Sequence, residues 1–168
     1  MKKWLPILLI LLLILPGCSS EEENTVQFYY LRKEVTFGSQ DSVIAAETRE
    51  IHEENPDLKY LLTLYLKGPL DETLEMPVGR NVRVTNLSQD GDSLTVSFSS
   101  ELSYLDDIDL TIACACISQT CFALTDVQIL RIEAPAVEYG TPILFTIHRD
   151  SFLLFDDTTT PPEAEDAS

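Results

Sequence analysis

The sequence predicts an α+β domain: two helices packed on one face of a mostly antiparallel sheet. Three observations carry that reading. A helix signal between residues 55 and 69 is complete at both ends, and Gln89-Asp90-Gly91-Asp92 joins two strand-like segments. The apolar segments follow the order β, (β), α, β, β, α, β, β.

Val26 to Leu31 is β-branched and aromatic, and reads as a strand apolar on both faces. Gly38 to Asp41 is loop. From Val43 to Ile51 the alternation is poor at Val43, Ala45, Glu47 and Arg49, so only a short extended segment is expected. Asn55-Pro56-Asp57 then opens a helix: Asn55 can cap, Pro56 suits the first helical position, and Asp57 meets the positive end of the dipole. Leu58, Leu61, Leu62, Tyr65 and Leu66 form one apolar stripe. Lys67 falls in the last turn and Gly68-Pro69 stops the helix.

Val82 to Leu87 and Ser93 to Ser99 are the arms of a hairpin. In the second arm Leu94, Val96 and Phe98 alternate with Thr95, Ser97 and Ser99, giving one dry and one polar face. That polar face is either solvated or covered by a partner. A second helix follows, with Asp106, Asp107 or Asp109 as cap and Leu110, Ala113, Cys114, Ile117 and Cys121 on its buried side. Val127 to Glu133 is a strand. Ile143 to His148 and Phe152 to Phe155 read as a closing hairpin around Arg149-Asp150.

The two ends lie outside this domain. Lys2 and Lys3 precede the apolar stretch Trp4 to Leu15, which is too short for a permanent span of ~20 residues and fits a secretory signal. Leu15-Pro16-Gly17-Cys18 resembles the lipobox of bacterial lipoproteins, with Pro16 uncommon at the variable place. The resemblance implies diacylglyceryl attachment to the Cys18 sulfur and cleavage before it. At ~0.8 kcal/mol per buried CH₂, two acyl chains hold a protein at a bilayer where one does not. The expected organisation is signal peptide 1–17, tether 18–24, domain 25–155 and a disordered acidic tail 156–168. Such a protein is extracytoplasmic, anchored through Cys18 to the outer face of the cytoplasmic membrane.

Cleavage would remove Lys2 and Lys3, leaving nine basic residues against 28 acidic ones, a net charge of −19. So acidic a surface repels nucleic acid and anionic lipid, and neither is expected as a partner.

Leu61-Leu62-x-Leu64-x-Leu66-Lys67-Gly68-Pro69 resembles the Leu-Leu-x-Gly-Pro signature of the GerMN domain, named from sporulation and germination lipoproteins. The order that follows is similar too: Asp71-Glu72, Pro77-Val78-Gly79, the hairpin of residues 82 to 99, Phe98-Ser99-Ser100-Glu101-Leu102, then Thr125-Asp126-Val127-Gln128-Ile129. The likeness covers roughly residues 58 to 134, with Leu61, Leu62, Leu66, Gly68 and Pro69 as its motif. It implies a ring-building-like fold and a non-enzymatic role. Where the module assembles with itself or a protein partner, the exposed sheet face and the Gly68 to Gly79 loop are the expected contacts. Here one such domain is present where some sporulation proteins carry two.

The residues supply no competing chemistry. Cys114 and Cys121 would lie ~10 Å apart along a helix, and Cys114 and Cys116 point ~160° apart around it, so neither pair suits a disulfide. C-x-C-x₄-C matches no zinc spacing, and the three thiols read as small core residues, a pair across a helix break remaining open. His52 and His148 accompany no nucleophile elbow, and Asp106-Asp107-x-Asp109 lacks the calcium-loop frame. No catalytic residue, metal ligand or cofactor is expected. The reading is a lipid-anchored interaction or scaffold module; the alternative is a small cell-envelope hydrolase acting on peptidoglycan, which needs convergent carboxylates or a His–carboxylate pair.

Overall fold

The computed structural model describes residues 24–34, 42–137 and 141–151. The signal, Cys18, most of the tether, Phe152 to Phe155 and the acidic tail lie outside the described residues.

β1 (Thr25–Arg32) pairs antiparallel with β2 (Ile44–Glu50), and at its far end with the two-residue β3 (Leu74–Glu75). β4 (Val84–Asp90), β5 (Ser93–Phe98), β6 (Ile129–Ala134) and β7 (Ile143–His148) form a second sheet in that order. The α+β class and the mostly antiparallel pairing stand, but the strands divide into two sheets where one was expected. The reason is that β1 gives its edges to β2 and β3, and pairs with no strand of the four-stranded sheet. β5 and β6 are parallel, as a strand–helix–strand crossover requires.

α1 (Leu58–Tyr65) is capped by Asp57, whose carboxylate accepts from the Tyr60 N–H at 2.7 Å. The cap is thus two residues later than Asn55, and Pro56 precedes the helix instead of opening it. Leu61, Leu62 and Tyr65 are its buried face, as the stripe required. Lys67 lies just beyond the helix, and Gly68, at φ 96°, takes the left-handed conformation that ends it.

The hairpin turns at Gly91, φ 55°. Its first arm starts at Val84 rather than Val82 and is bulged at Thr85, whose hydroxyl bonds the Ser97 carbonyl at 3.0 Å. β5 keeps the expected alternation: Leu94, Val96 and Phe98 are buried and Ser93, Thr95 and Ser97 half-buried. A 3-10 turn, Ser100–Tyr104, then leads to α2 (Asp107–Leu124), with Asp106 at the cap position and Asp107 and Asp109 in the first turn.

α2 departs most from its expected single stripe. Besides Ala113, Cys114, Ile117 and Cys121, it buries Cys116, Ser118, Thr120 and Phe122, well over half its circumference. It packs against β1 of one sheet and β6 of the other, so it is a shared wall. The 18-residue helix is long and apolar enough to cross a membrane by composition, but here it lies in the core. Its buried side chains are mostly small, which lets the backbone approach β1 closely. The Thr120 hydroxyl, fully buried, accepts the Tyr29 N–H at 2.9 Å and so occupies part of the β1 edge that lacks a strand.

One cluster of buried side chains draws on both sheets and both helices. Phe28, Tyr30 and Tyr65 lie at its α1 end, the two tyrosines stacked at 5.0 Å and Phe28 tilted 5.8 Å from Tyr65. The Tyr30 hydroxyl bonds the Tyr65 carbonyl at 3.0 Å, one of the last carbonyls of α1. Ile143 to His148 is a strand as expected, but it pairs with β6; Phe152 to Phe155, the expected partner arm, falls outside the described residues.

Candidate functional site

The Gly-Pro segment after α1 is fixed by a polar clamp on β2. Register places Ala45 opposite Tyr30, Glu47 opposite Phe28 and Arg49 opposite Val26, so β2 directs Glu47 and Arg49 toward the core face. Their side chains are only 9 % and 7 % exposed and form an ion pair. Glu47 Oε1 accepts from Arg49 Nε at 3.1 Å and from the Arg49 terminal nitrogen. Glu47 Oε2 accepts the N–H groups of Leu70 and Asp71, at 2.7 and 2.8 Å. Arg49 donates onward to the Gly68 carbonyl at 3.1 Å and lies 5.1 Å from the Phe28 ring centre. Each buried charge thus has several partners, the condition under which such a pair is tolerated.

The motif residues therefore have structural tasks. Leu61 and Leu62 are core, Leu66 packs against it, Gly68 supplies the positive φ and an acceptor, and Pro69 leads into the two N–H groups held by Glu47. Lys33 anchors the next stretch, donating to the Glu72 carbonyl at 2.7 Å. Leu70, at 76 % exposure, projects a large apolar side chain from this braced loop.

The outer face of the four-stranded sheet is the second surface. Register puts Ser88, Thr95, Arg131 and Thr146 in one row across it, and Asn86, Ser97, Glu133 and Leu144 in the next. The face is polar with one strongly exposed apolar side chain, Leu144.

A groove of about 770 Å³ is the third. It lies between the start of β1, Pro56 with Leu61 of α1, and Gln119, Phe122 and Ala123 near the end of α2. Arg149 closes one side. Its guanidinium donates to the carbonyls of Thr125, at 2.6 Å, and Val127, at 2.8 Å, and lies 4.9 Å from the Phe122 ring centre, so a cation caps the C-terminal end of α2.

The residues weighed for chemistry fall elsewhere. His52 is exposed, 3.6 Å from Glu50, and His148 is exposed at the end of β7; neither lines the groove. Asp106, Asp107 and Asp109 border a shallow depression at the start of α2. No group of three His, Cys, Asp or Glu side chains that could hold a metal occurs among the described residues. Cys114, Cys116 and Cys121 are free and buried, and burial pushes each thiol up to about 12. Burial likewise raises the Tyr65 phenol, beside Cys116, Cys121 and Thr120, well above its ordinary value. Cys18 lies outside the described residues.

No protein-family model matches the sequence, and no curated protein matches it. Among solved structures, the first GerMN domain of the sporulation protein GerM from Bacillus subtilis matches with a TM-score of 0.53 at 15 % identity. The match covers 75 % of this chain and 98 % of that one. The chain therefore carries a domain of GerMN-like fold.

Glu47→Gln, which keeps the size but leaves Arg49 as an uncompensated buried charge, is expected to lower the unfolding free energy by about 3 kcal/mol. The Glu47→Leu/Arg49→Met pair recovers most of that loss; denaturant unfolding of both checks the clamp, and an unaffected Glu47→Gln contradicts it. The thiols set a second expectation. Because the folded state binds their protons more tightly than the unfolded chain, stability is full below pH 9 and falls as pH rises toward 12. Alkylation at pH 8 should label none of the three until denaturant is added; rapid labelling of the folded protein contradicts their burial.

Proposed function

We propose that this chain is an extracytoplasmic, lipid-anchored interaction module with no catalytic role, working in sporulation or germination. The observation that carries the reading is the GerMN-like fold, matched across nearly the whole of a domain from a sporulation protein. Two features of the molecule support it. The surfaces it presents are a braced loop bearing Leu70, a polar sheet face bearing Leu144 and an open groove, all suited to protein contact. The histidines that a hydrolase would call on are exposed and form no part of the groove lining.

Anchoring follows from Leu15-Pro16-Gly17-Cys18. From Cys18 to Asn24 the tether is seven residues, six steps with a reach of at most about 20 Å, which would hold the start of β1 and its groove close to the bilayer. Partners would then be met at the membrane surface, and the strong acidity keeps the body off anionic headgroups.

Labelled palmitate should enter the wild-type protein in cells and not the Cys18→Ala variant, and the variant should leave the membrane fraction. Wild-type protein without label, or secreted in full, contradicts anchoring. Incubation of the purified protein with peptidoglycan should release no muropeptides; release would turn the reading to a hydrolase. A deletion strain with undiminished heat-resistant spores would remove the sporulation setting.

A further inference from the structure

We infer that the groove beside β1 is a strand-addition site, and that its occupant is this chain's own Phe152-Leu153-Leu154-Phe155. The hydrogen bond from the Ile51 N–H to the Asn24 carbonyl, 2.8 Å, fixes which main-chain groups of β1 face β2. Alternation then sends Asn24, Val26, Phe28 and Tyr30 to β2, and Thr25, Gln27, Tyr29 and Leu31 to the opposite edge. On that edge Leu31 pairs with β3 and the Tyr29 N–H is taken by Thr120. Among the described residues, the main-chain groups of Thr25 and Gln27 have no partner there, and both residues line the groove. Pro56, Leu61 of α1, and Phe122 and Ala123 of α2 give the groove an apolar lining for an added strand.

The chain itself arrives at this place. The Arg149 N–H bonds the Gln128 carbonyl at 2.9 Å, and its guanidinium is fastened to the end of α2. Residues 149 to 151 form one 3-10 turn, so Phe152 follows within three residues of a side chain that lines the groove. Phe152 to Phe155 are four large apolar residues in a row, followed at once by Asp156-Asp157. Such a run is poorly suited to water, whereas the polar residues beyond it are well suited. An extended four-residue segment is about 13 Å long, the length of the β1 edge from Thr25 to Tyr29. The free edge of β7 is the competing berth. Since Arg149 pairs with Gln128, the amides of Leu144, Thr146 and His148 face that edge. The anchorage of Arg149 at the end of α2 and in the groove lining favours β1 instead. The inference is independent of acylation at Cys18.

Residue-resolved amide hydrogen exchange on the full chain in detergent, wild type against Phe152→Asp/Phe155→Asp, tests it. The Gln27 amide is expected to exchange at least about tenfold faster in the variant, with Tyr29 and Thr146 unchanged. A synthetic peptide of residues 151–158 added to the variant should restore protection at Gln27. Equal Gln27 rates in the two proteins overturn the inference. So does a change at Thr146 in place of Gln27, which puts the segment on β7. Protection at Gln27 that vanishes on dilution of the wild type also overturns it, because the strand then comes from a second copy.

Discussion

The architecture depends on how β1 satisfies its second edge. One edge is fully paired with β2, but the other meets only the two residues of β3. An unpaired edge in a core is costly, because each buried N–H without a partner loses roughly 1–3 kcal/mol. α2 meets the requirement with a side chain where a strand would use its backbone: the Thr120 hydroxyl takes the Tyr29 N–H. That arrangement brings a helix against a strand edge, and the row of small residues on α2 permits it. Ala113, Cys114, Cys116, Ser118 and Cys121 are all buried. A larger residue at these positions would push α2 outward and break the bond. The same closeness lets α2 contact β6, so two sheets that share no strand pairing share one core.

The buried ion pair on β2 does a different job. On a face they share with Phe28 and Tyr30, Glu47 and Arg49 hold the main chain of Gly68, Leu70 and Asp71. The loop after α1 is thereby kept in one conformation although it is largely exposed. A preformed loop loses less entropy on association than a mobile one, which favours a contact role for it. Leu61, Leu62, Leu66, Gly68 and Pro69 thus code for loop geometry and core, with no reactive group among them.

Much of this was legible in the sequence, and the failures have physical causes. α1 and β5 could be read because every local preference agreed with the tertiary outcome: stripe, stop signal and strict alternation. β2 was obscure because its inward positions hold Ala45, Glu47 and Arg49, so the polar clamp that fixes the loop erased the period-2 signal. The α1 cap was misplaced because Asn55 and Asp57 are both good caps, and only the folded backbone selects Asp57. α2 showed only part of its buried surface, since cysteine, serine and threonine do not announce burial in a pattern. The division into two sheets was hidden for the same reason: strand order along a chain does not say which edges remain for a helix. The groove left no sequence signal, being made by the ends of elements distant in the chain.

Mechanically, the molecule is one cooperative unit in which α2 is the wall common to both sheets. Native-state hydrogen exchange at increasing denaturant tests this most directly, comparing the amides of Tyr29 in the first sheet and Leu130 in the second. One opening free energy, equal to that of global unfolding, is expected for both. A Tyr29 amide that exchanges through a cheaper opening, with Leu130 still protected, would contradict it: β1 and β2 would then be an appendage to the four-stranded sheet, not half of a shared core.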